Sequence, residues 1–210
     1  MFQVQMKSRR FELAALLMAS IALMGLFWLA AKVSRGETMQ FDADVRGAIH
    51  SIGRPWLTEL FGAITLLGSQ AAVIGISGCA ALTLFLVGRR DRARLMVIVM
   101  AGAELLLSML KVHFHRARPE AFFGAPLPGS YSFPSGHALL SLCCYGALAA
   151  LSGAKWLVRI LAAALILAIG VSRVYLGVHY PTDVIGGYLA GIAWVCCLAA
   201  IYGRLATMKR

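Results

Sequence analysis

Residues 13–31 read LAALLMASIALMGLFWLAA, nineteen positions without a charge. A helix that crosses a bilayer needs about 20 mostly apolar residues, because lipid offers no partner to an unpaired backbone N–H or C=O. Leu13–Ala31 meets that requirement and decides the class of the fold. Lys7, Arg9 and Arg10 precede the run, and no small-residue cleavage site follows a short apolar core. The stretch therefore reads as a retained first span, not a removed leader.

Five further runs share its character: Phe61–Val87, Leu95–Leu110, Ala138–Ala154, Leu157–Val171 and Val184–Gly203. Phe61–Val87 is longer than one span needs, which puts its first turns at the interface. Leu95–Leu110 carries Glu104, and Leu157–Val171 carries Arg159 near its start, where a long stem lets the charge reach water. The expectation is an all-α protein, a polytopic membrane bundle of six transmembrane helices. It forms one domain over residues 1–210, with a motif-bearing core at 95–203.

Composition agrees. Hydrophobic residues make up 60% of the chain and charged residues 14%, with a mean hydropathy of +0.78. A soluble domain is usually about half apolar and a quarter charged. The net charge is +11, from 20 basic and 9 acidic residues. In a soluble protein such an excess would suggest nucleic acid. Here it divides between topology signals and an anionic site, and no nucleic-acid partner is expected. Cys79, Cys143, Cys144, Cys196 and Cys197 all lie in apolar runs without metal-ligand spacing, and read as small core residues.

With six spans, Lys7, Arg9, Arg10, Arg89, Arg90, Arg92, Arg94, Lys155, Arg159, Arg204, Lys209 and Arg210 fall on one side. The excess of basic residues marks that side, with both termini, as cytoplasmic. The opposite side receives residues 32–60, with an interfacial stretch around Phe41–Leu60, and also residues 111–135 and 172–183. Three short segments fall there: KVHFHRARP at 111–119, PSGH at 134–137 and SRVYLGVHYPTD at 172–183.

Their chemistry is coherent. Lys111, Arg118 and Arg173 are cations that the topology rule does not explain. Together they suit a dianionic phosphoryl group, the guanidinium as a planar fork and the ammonium as a compact charge. Ser135 stands where it can begin the next helix, so backbone N–H groups near Gly136 and His137 would face an anion, with the helix dipole assisting. His179 and Asp183 are four residues apart. That spacing lets a carboxylate fix one imidazole nitrogen and leave the other as nucleophile. His137 is placed to protonate a leaving group and then to serve as base for water. No cofactor is called for, and no carboxylate cluster suggests a metal.

The ordered set Lys111-x6-Arg118-Pro119, Pro134-Ser135-Gly136-His137 and Ser172-Arg173-x5-His179-x3-Asp183 resembles the signature of the type 2 phosphatidic acid phosphatase superfamily. The resemblance implies a helical bundle with His179 as nucleophile, His137 as acid and base, and Asp183 as orienter. It implies phosphate binding by Lys111, Arg118, Ser135, Gly136, His137 and Arg173. The family acts on phosphatidic acid, phosphatidylglycerol phosphate, undecaprenyl pyrophosphate and lipid A phosphates. A compact six-span form looks bacterial, which points to an inner-membrane protein with a periplasmic site. Undecaprenyl pyrophosphate is the first expectation, and phosphatidate-type glycerolipids follow. A lipid phosphotransferase using the same phosphohistidine, and a non-enzymatic lipid transporter, remain open. The oligomeric state is not legible.

Several residues fall outside the signature. His113 and His115 read as solvated or facing headgroups. Arg116 reads the same way, with a second contact to substrate phosphate as its alternative. His50 reads as structural, and Thr65, Gly68 and Ser69 as small packing residues of the second span. Glu104 precedes Lys111 by seven residues on one helix face. It is expected either to support a cation of the site from below or to make a polar contact between helices.

Overall fold

A computed structural model describes the backbone of residues 2–153 and 155–208, and the side chains of residues 9–153 and 155–202. Ala154, Lys209, Arg210 and the side chains of Lys7 and Arg204, all part of the expectations above, lie outside that description. Among the described residues the chain is helical throughout its regular structure. The helices are α1 (Phe2–Ser34), α2 (Met39–Ser51), α3 (Pro55–Leu67), α4 (Gln70–Leu86), α5 (Arg90–Phe114), α6 (Gly136–Leu151), α7 (Trp156–Tyr175) and α8 (Pro181–Met208).

Four stretches are long and apolar enough to cross a membrane: Arg9–Ser34, Arg90–Phe114, Trp156–Tyr175 and Pro181–Tyr202. The expected second span is broken. Gly68 ends α3, and the Ser69 hydroxyl accepts a hydrogen bond from the Ala72 backbone N–H, which starts α4 afresh. The two helices meet at a 47° bend and together supply a fifth candidate span. The expected fourth span is α6, whose 16 residues rise only about 24 Å, short of a ~30 Å hydrocarbon core. Its surroundings account for that length. Helices α4, α5, α7 and α8 all pack against it, and Leu139, Ser141, Cys143 and Cys144 are fully buried. A helix so enclosed takes its apolar environment from protein along much of its surface.

Close crossings hold the bundle. A Cβ on Gly187 of α8 would lie 2.5 Å from the Ser135 carbonyl oxygen, so α8 presses directly on the start of α6. A Cβ on Gly102 of α5 would lie 2.0 Å from the Trp194 ring, whose Nε1 donates to the Val99 carbonyl at 2.8 Å. Small residues give helices this approach where lipid supplies no hydrophobic drive between them. The outer faces of the spans are correspondingly apolar and exposed, as at Phe27, Trp28, Leu105 and Leu161.

One end of the bundle gathers the basic loops. Arg92 donates to the Leu151 carbonyl at the end of α6, and Phe11 and Arg159 line one groove with Ala150. The other end gathers the three motif segments. Cys143 and Cys144 sit in the core as expected, whereas Cys79 is exposed on α4.

Candidate active site

Helix α8 begins as its sequence dictates. Pro181 occupies the first helical position, where a missing N–H costs nothing. Asp183, two residues on, reaches back so that its Oδ2 accepts the Tyr180 backbone N–H at 2.9 Å, in the manner of a capping box. The same Oδ2 lies 3.2 Å from His179 Nδ1 and accepts the Ser132 hydroxyl. Asp183 Oδ1 accepts from Arg116 Nη1 at 2.6 Å. The carboxylate is fully buried and has a donor on every side.

His179 is 1% exposed. Its Nε2 lies 3.0 Å from Arg118 Nη1. A guanidinium has no acceptor, so Nε2 must present its lone pair and Nδ1 must carry the proton donated to Asp183. Burial pushes this imidazole down to about 4 against the opposing pull of Asp183, and at neutral pH the ring is uncharged. The four-residue spacing thus brings the Asp183 carboxylate to Nδ1.

Arg118 also donates to the Val178 carbonyl at 2.8 Å and the Ser130 carbonyl at 2.6 Å. Lys111, in the last turn of α5, donates to the Ser130 hydroxyl and the Tyr131 carbonyl. One short segment, Ser130–Tyr131, thus fixes both cations. Arg173 is buried in the last turn of α7, and its Nη1 donates to Thr65 Oγ1 at 2.7 Å. Arg173 Nε and Ser135 Oγ are buried without a hydrogen-bond partner. Ser135 precedes α6 as expected, but its side chain does not cap the helix. Its backbone N–H is taken by the Asp183 carbonyl at 2.9 Å. His137, in the first turn of α6, lies within electrostatic range of Arg173, His179, Arg118 and Lys111. The α3–α4 break makes room for it, since a Cβ on Gly68 would stand 3.1 Å from the His137 ring.

The structure thus collects Lys111, Arg118, Ser135, Gly136, His137, Arg173, His179 and Asp183 at one end of the bundle. It also corrects one expectation outside the signature and decides between two others. Arg116 is no exposed headgroup contact: it lies between Asp42 and Asp183, at 2.7 and 2.6 Å. Glu104 faces α4, where its Oε2 accepts from Gln70 Nε2 at 3.0 Å, so it makes the inter-helix polar contact and supports no cation of the site. His113 and His115 are exposed as expected. His50 lies tilted against Phe122 and Phe123, ring centroids 4.2 and 5.1 Å away. Sequence reasoning missed Ser132, Asp42, Thr182 and the role of Thr65. Ser132 stands three residues before Ser135, in the segment between two motifs, and that position is the only signal it offers.

A membrane-embedded helical bundle with a buried His–Asp pair and converging cations defines a class of phosphate-ester hydrolases acting on lipids. The profile of the PAP2 superfamily matches residues 92–206, and the chain belongs to this superfamily of membrane lipid phosphatases. Phosphatidylglycerophosphatase B of Bacillus subtilis (strain 168) is 34% identical over 174 residues, which cover 78% of this chain and 84% of that protein. An undecaprenyl-diphosphatase of Sulfolobus acidocaldarius is 43% identical over 77 residues, covering 35% of this chain and 34% of its own. The crystal structure of a transmembrane PAP2-type phosphatidylglycerolphosphate phosphatase from Bacillus subtilis superposes with a TM-score of 0.77 at 30% identity, covering 91% of this chain and 96% of that one.

Proposed function

We propose that this protein removes the terminal phosphate of a membrane lipid phosphate or pyrophosphate through a phosphohistidine on His179. The observation that carries the reading is the pair of ring contacts at His179: Nδ1 on Asp183, and an unprotonated Nε2 facing Arg118. Nε2 attacks phosphorus, and the bond from phosphorus to the leaving oxygen breaks. His137 gives the leaving oxygen its proton. The positive charge that develops on the imidazole ring faces Asp183. His137 then takes a proton from water, whose oxygen attacks phosphorus, and the P–N bond breaks to return neutral His179. Lys111, Arg118, Ser135, Gly136 and Arg173 hold the phosphoryl oxygens, with the unpartnered Ser135 Oγ and Arg173 Nε as ready donors. The proposed chemistry places no demand on a metal.

The same reading takes α1, the α3–α4 pair, α5, α6, α7 and α8 as six passes of a single domain over residues 1–210, with both termini cytoplasmic. Support comes from the separation of the basic loops at one end from the motif segments at the other. In a bacterial inner membrane the site then faces the periplasm. Undecaprenyl pyrophosphate is the first expectation from the sequence. The extent of similarity to a phosphatidylglycerophosphatase sets phosphatidylglycerol phosphate beside it.

The test is phosphate release by the purified protein from matched lipid mono- and pyrophosphates, with EDTA present. Release from at least one lipid, vanadate inhibition and loss in His179→Ala with folding intact are expected. Silence on every lipid from a folded protein would sink the reading, and a strict metal requirement would sink the mechanism.

A further inference from the structure

Helix α2 (Met39–Ser51) brings only a partly buried apolar residue, Ile49, to the core. Its buried residue is Asp42, an acid with no exposed surface. Anchoring a helix by a buried charge costs more than anchoring it by an apolar side chain, unless the charge is fully paired. Asp42 is fully paired. Its Oδ2 accepts from Arg116 Nη2 at 2.7 Å and from Thr182 Oγ1 at 2.7 Å, and its Oδ1 accepts the Thr182 backbone N–H at 3.1 Å. An acid from α2 thus caps the N-terminus of α8, one residue from Asp183.

Arg116 joins the two carboxylates. Its Nη1 donates to Asp183 Oδ1 and to Thr182 Oγ1, and its guanidinium lies 4.1 Å from the centroid of the Tyr180 ring. Asp183 therefore has a divided role: Oδ2 turns to His179, and Oδ1 is gripped from the opposite side. With Oδ1 released, Ser132 and the Tyr180 N–H still hold Oδ2, but the carboxylate loses the grip that fixes its tilt, and the contact to Nδ1 loosens. A buried ionic group can serve to register its neighbours, and the neighbour here is the Asp183 carboxylate.

We propose that Asp42 and Arg116 form a positioning relay for the His179–Asp183 pair, so that α2 belongs to the catalytic apparatus although none of its atoms reaches the phosphate. The proposal rests on His179 as the nucleophile. Arg116 is thereby assigned away from the substrate, unlike Lys111, Arg118 and Arg173.

The experiment compares the full-length parent with Arg116→Gln, Arg116→Lys, Asp42→Asn and the Arg116→Gln/Asp42→Asn double variant in detergent micelles. Lipid phosphate turnover gives kcat and KM, and thermal denaturation checks the fold. The 15N shifts of the His179 ring over a pH series give its protonation without turnover. Arg116→Gln should lower kcat about a hundredfold, the usual scale for a displaced catalytic group, with KM nearly unchanged. Arg116→Lys should recover part of the loss, because an ammonium holds one carboxylate at a time. The double variant should be no worse than Arg116→Gln alone, as expected for residues acting through one contact.

The groups facing His179 are Asp183 on α8, Arg173 on α7, and Arg118 and Ser132 on the loop before α6, with His137 and Lys111 at the rim. Removing the Arg116 cation leaves the Asp183 charge less compensated. A loosened Nδ1 contact pulls the ring the other way, so the deciding signal is the tautomer: the neutral ring should keep its proton on Nδ1 in the parent and divide it between Nδ1 and Nε2 in Arg116→Gln. A rise in KM at constant kcat would make Arg116 a phosphate ligand and overturn the relay. Additive losses that track a falling denaturation temperature, or a neutral-ring tautomer identical to the parent's, would also overturn it. Failure of the nucleophile reading shows separately, as a parent protein that turns over without any phosphohistidine. The ring tautomer still decides the relay in that case.

Discussion

His179 has its two ring nitrogens in opposite surroundings, and that asymmetry sets its pH behaviour. The imidazole is held near 4 by burial. Above that value Nε2 is free to attack, and as pH falls through it the lone pair is lost to a proton. Phosphohistidine formation from a labelled aryl phosphate, whose leaving group needs no proton from His137, followed by alkaline quench, should be flat through neutrality and collapse toward pH 4. An acid limb centred near 6.5 would mean that the site is more hydrated than its geometry implies. Asp183→Asn should cost on the order of 10⁴ in kcat, as when a triad orienter loses its carboxylate. The signature residues were legible because each belongs to a short spaced pattern. Arg116 was not, because proximity to Arg118 in sequence suggests a shared ligand, whereas its guanidinium goes to Asp42 and Asp183. His115 ends α5 in a left-handed conformation, and the two guanidiniums go to different partners. Asp42 has no local pattern at all, since its partners lie in a distant part of the chain.

At the scale of helices, the apolar runs foretold most elements but not the break in the second span. Nothing in the hydropathy of Phe61–Val87 marks a bend. The signal is chemical: Gly68 followed by Ser69, a small residue and then a capping one. The functional reason is steric, because the break admits His137 and brings Thr65 to Arg173. Thr65→Val removes the hydroxyl that holds Arg173 Nη1 and should raise KM for the lipid several-fold with little loss of thermal stability, since one hydrogen bond is worth about 1 kcal/mol. A fall in kcat alone would contradict that assignment. The α5–α8 crossing makes the opposite prediction. Gly102→Ala forces a methyl group into the Trp194 ring. It should destabilise the bundle by about 1–3 kcal/mol, the usual cost of overpacking, and thermal inactivation in detergent should read that loss. An unchanged inactivation temperature would mean that the helices separate easily there.

For the whole molecule, the separation of basic loops from motif loops makes topology testable in cells. In a background with its native cysteines replaced, Leu127→Cys should react with an impermeant thiol reagent from outside, and Arg89→Cys only after permeabilisation. The reverse pattern would overturn the proposed orientation. One further consequence follows from the origin of the site's supports. Every signature residue falls within the matched stretch at 92–206, yet Asp42, Thr65 and Gly68 do not. The stretch that similarity detects is therefore not a transplantable cassette. A chimera that inherits it from one relative and its first four helices from another keeps every reactive group, but its helices must also agree on the partners of Arg116 and Arg173. Compatibility between the two portions, more than the presence of the motifs, should govern which hybrids work and how far the early helices are free to drift.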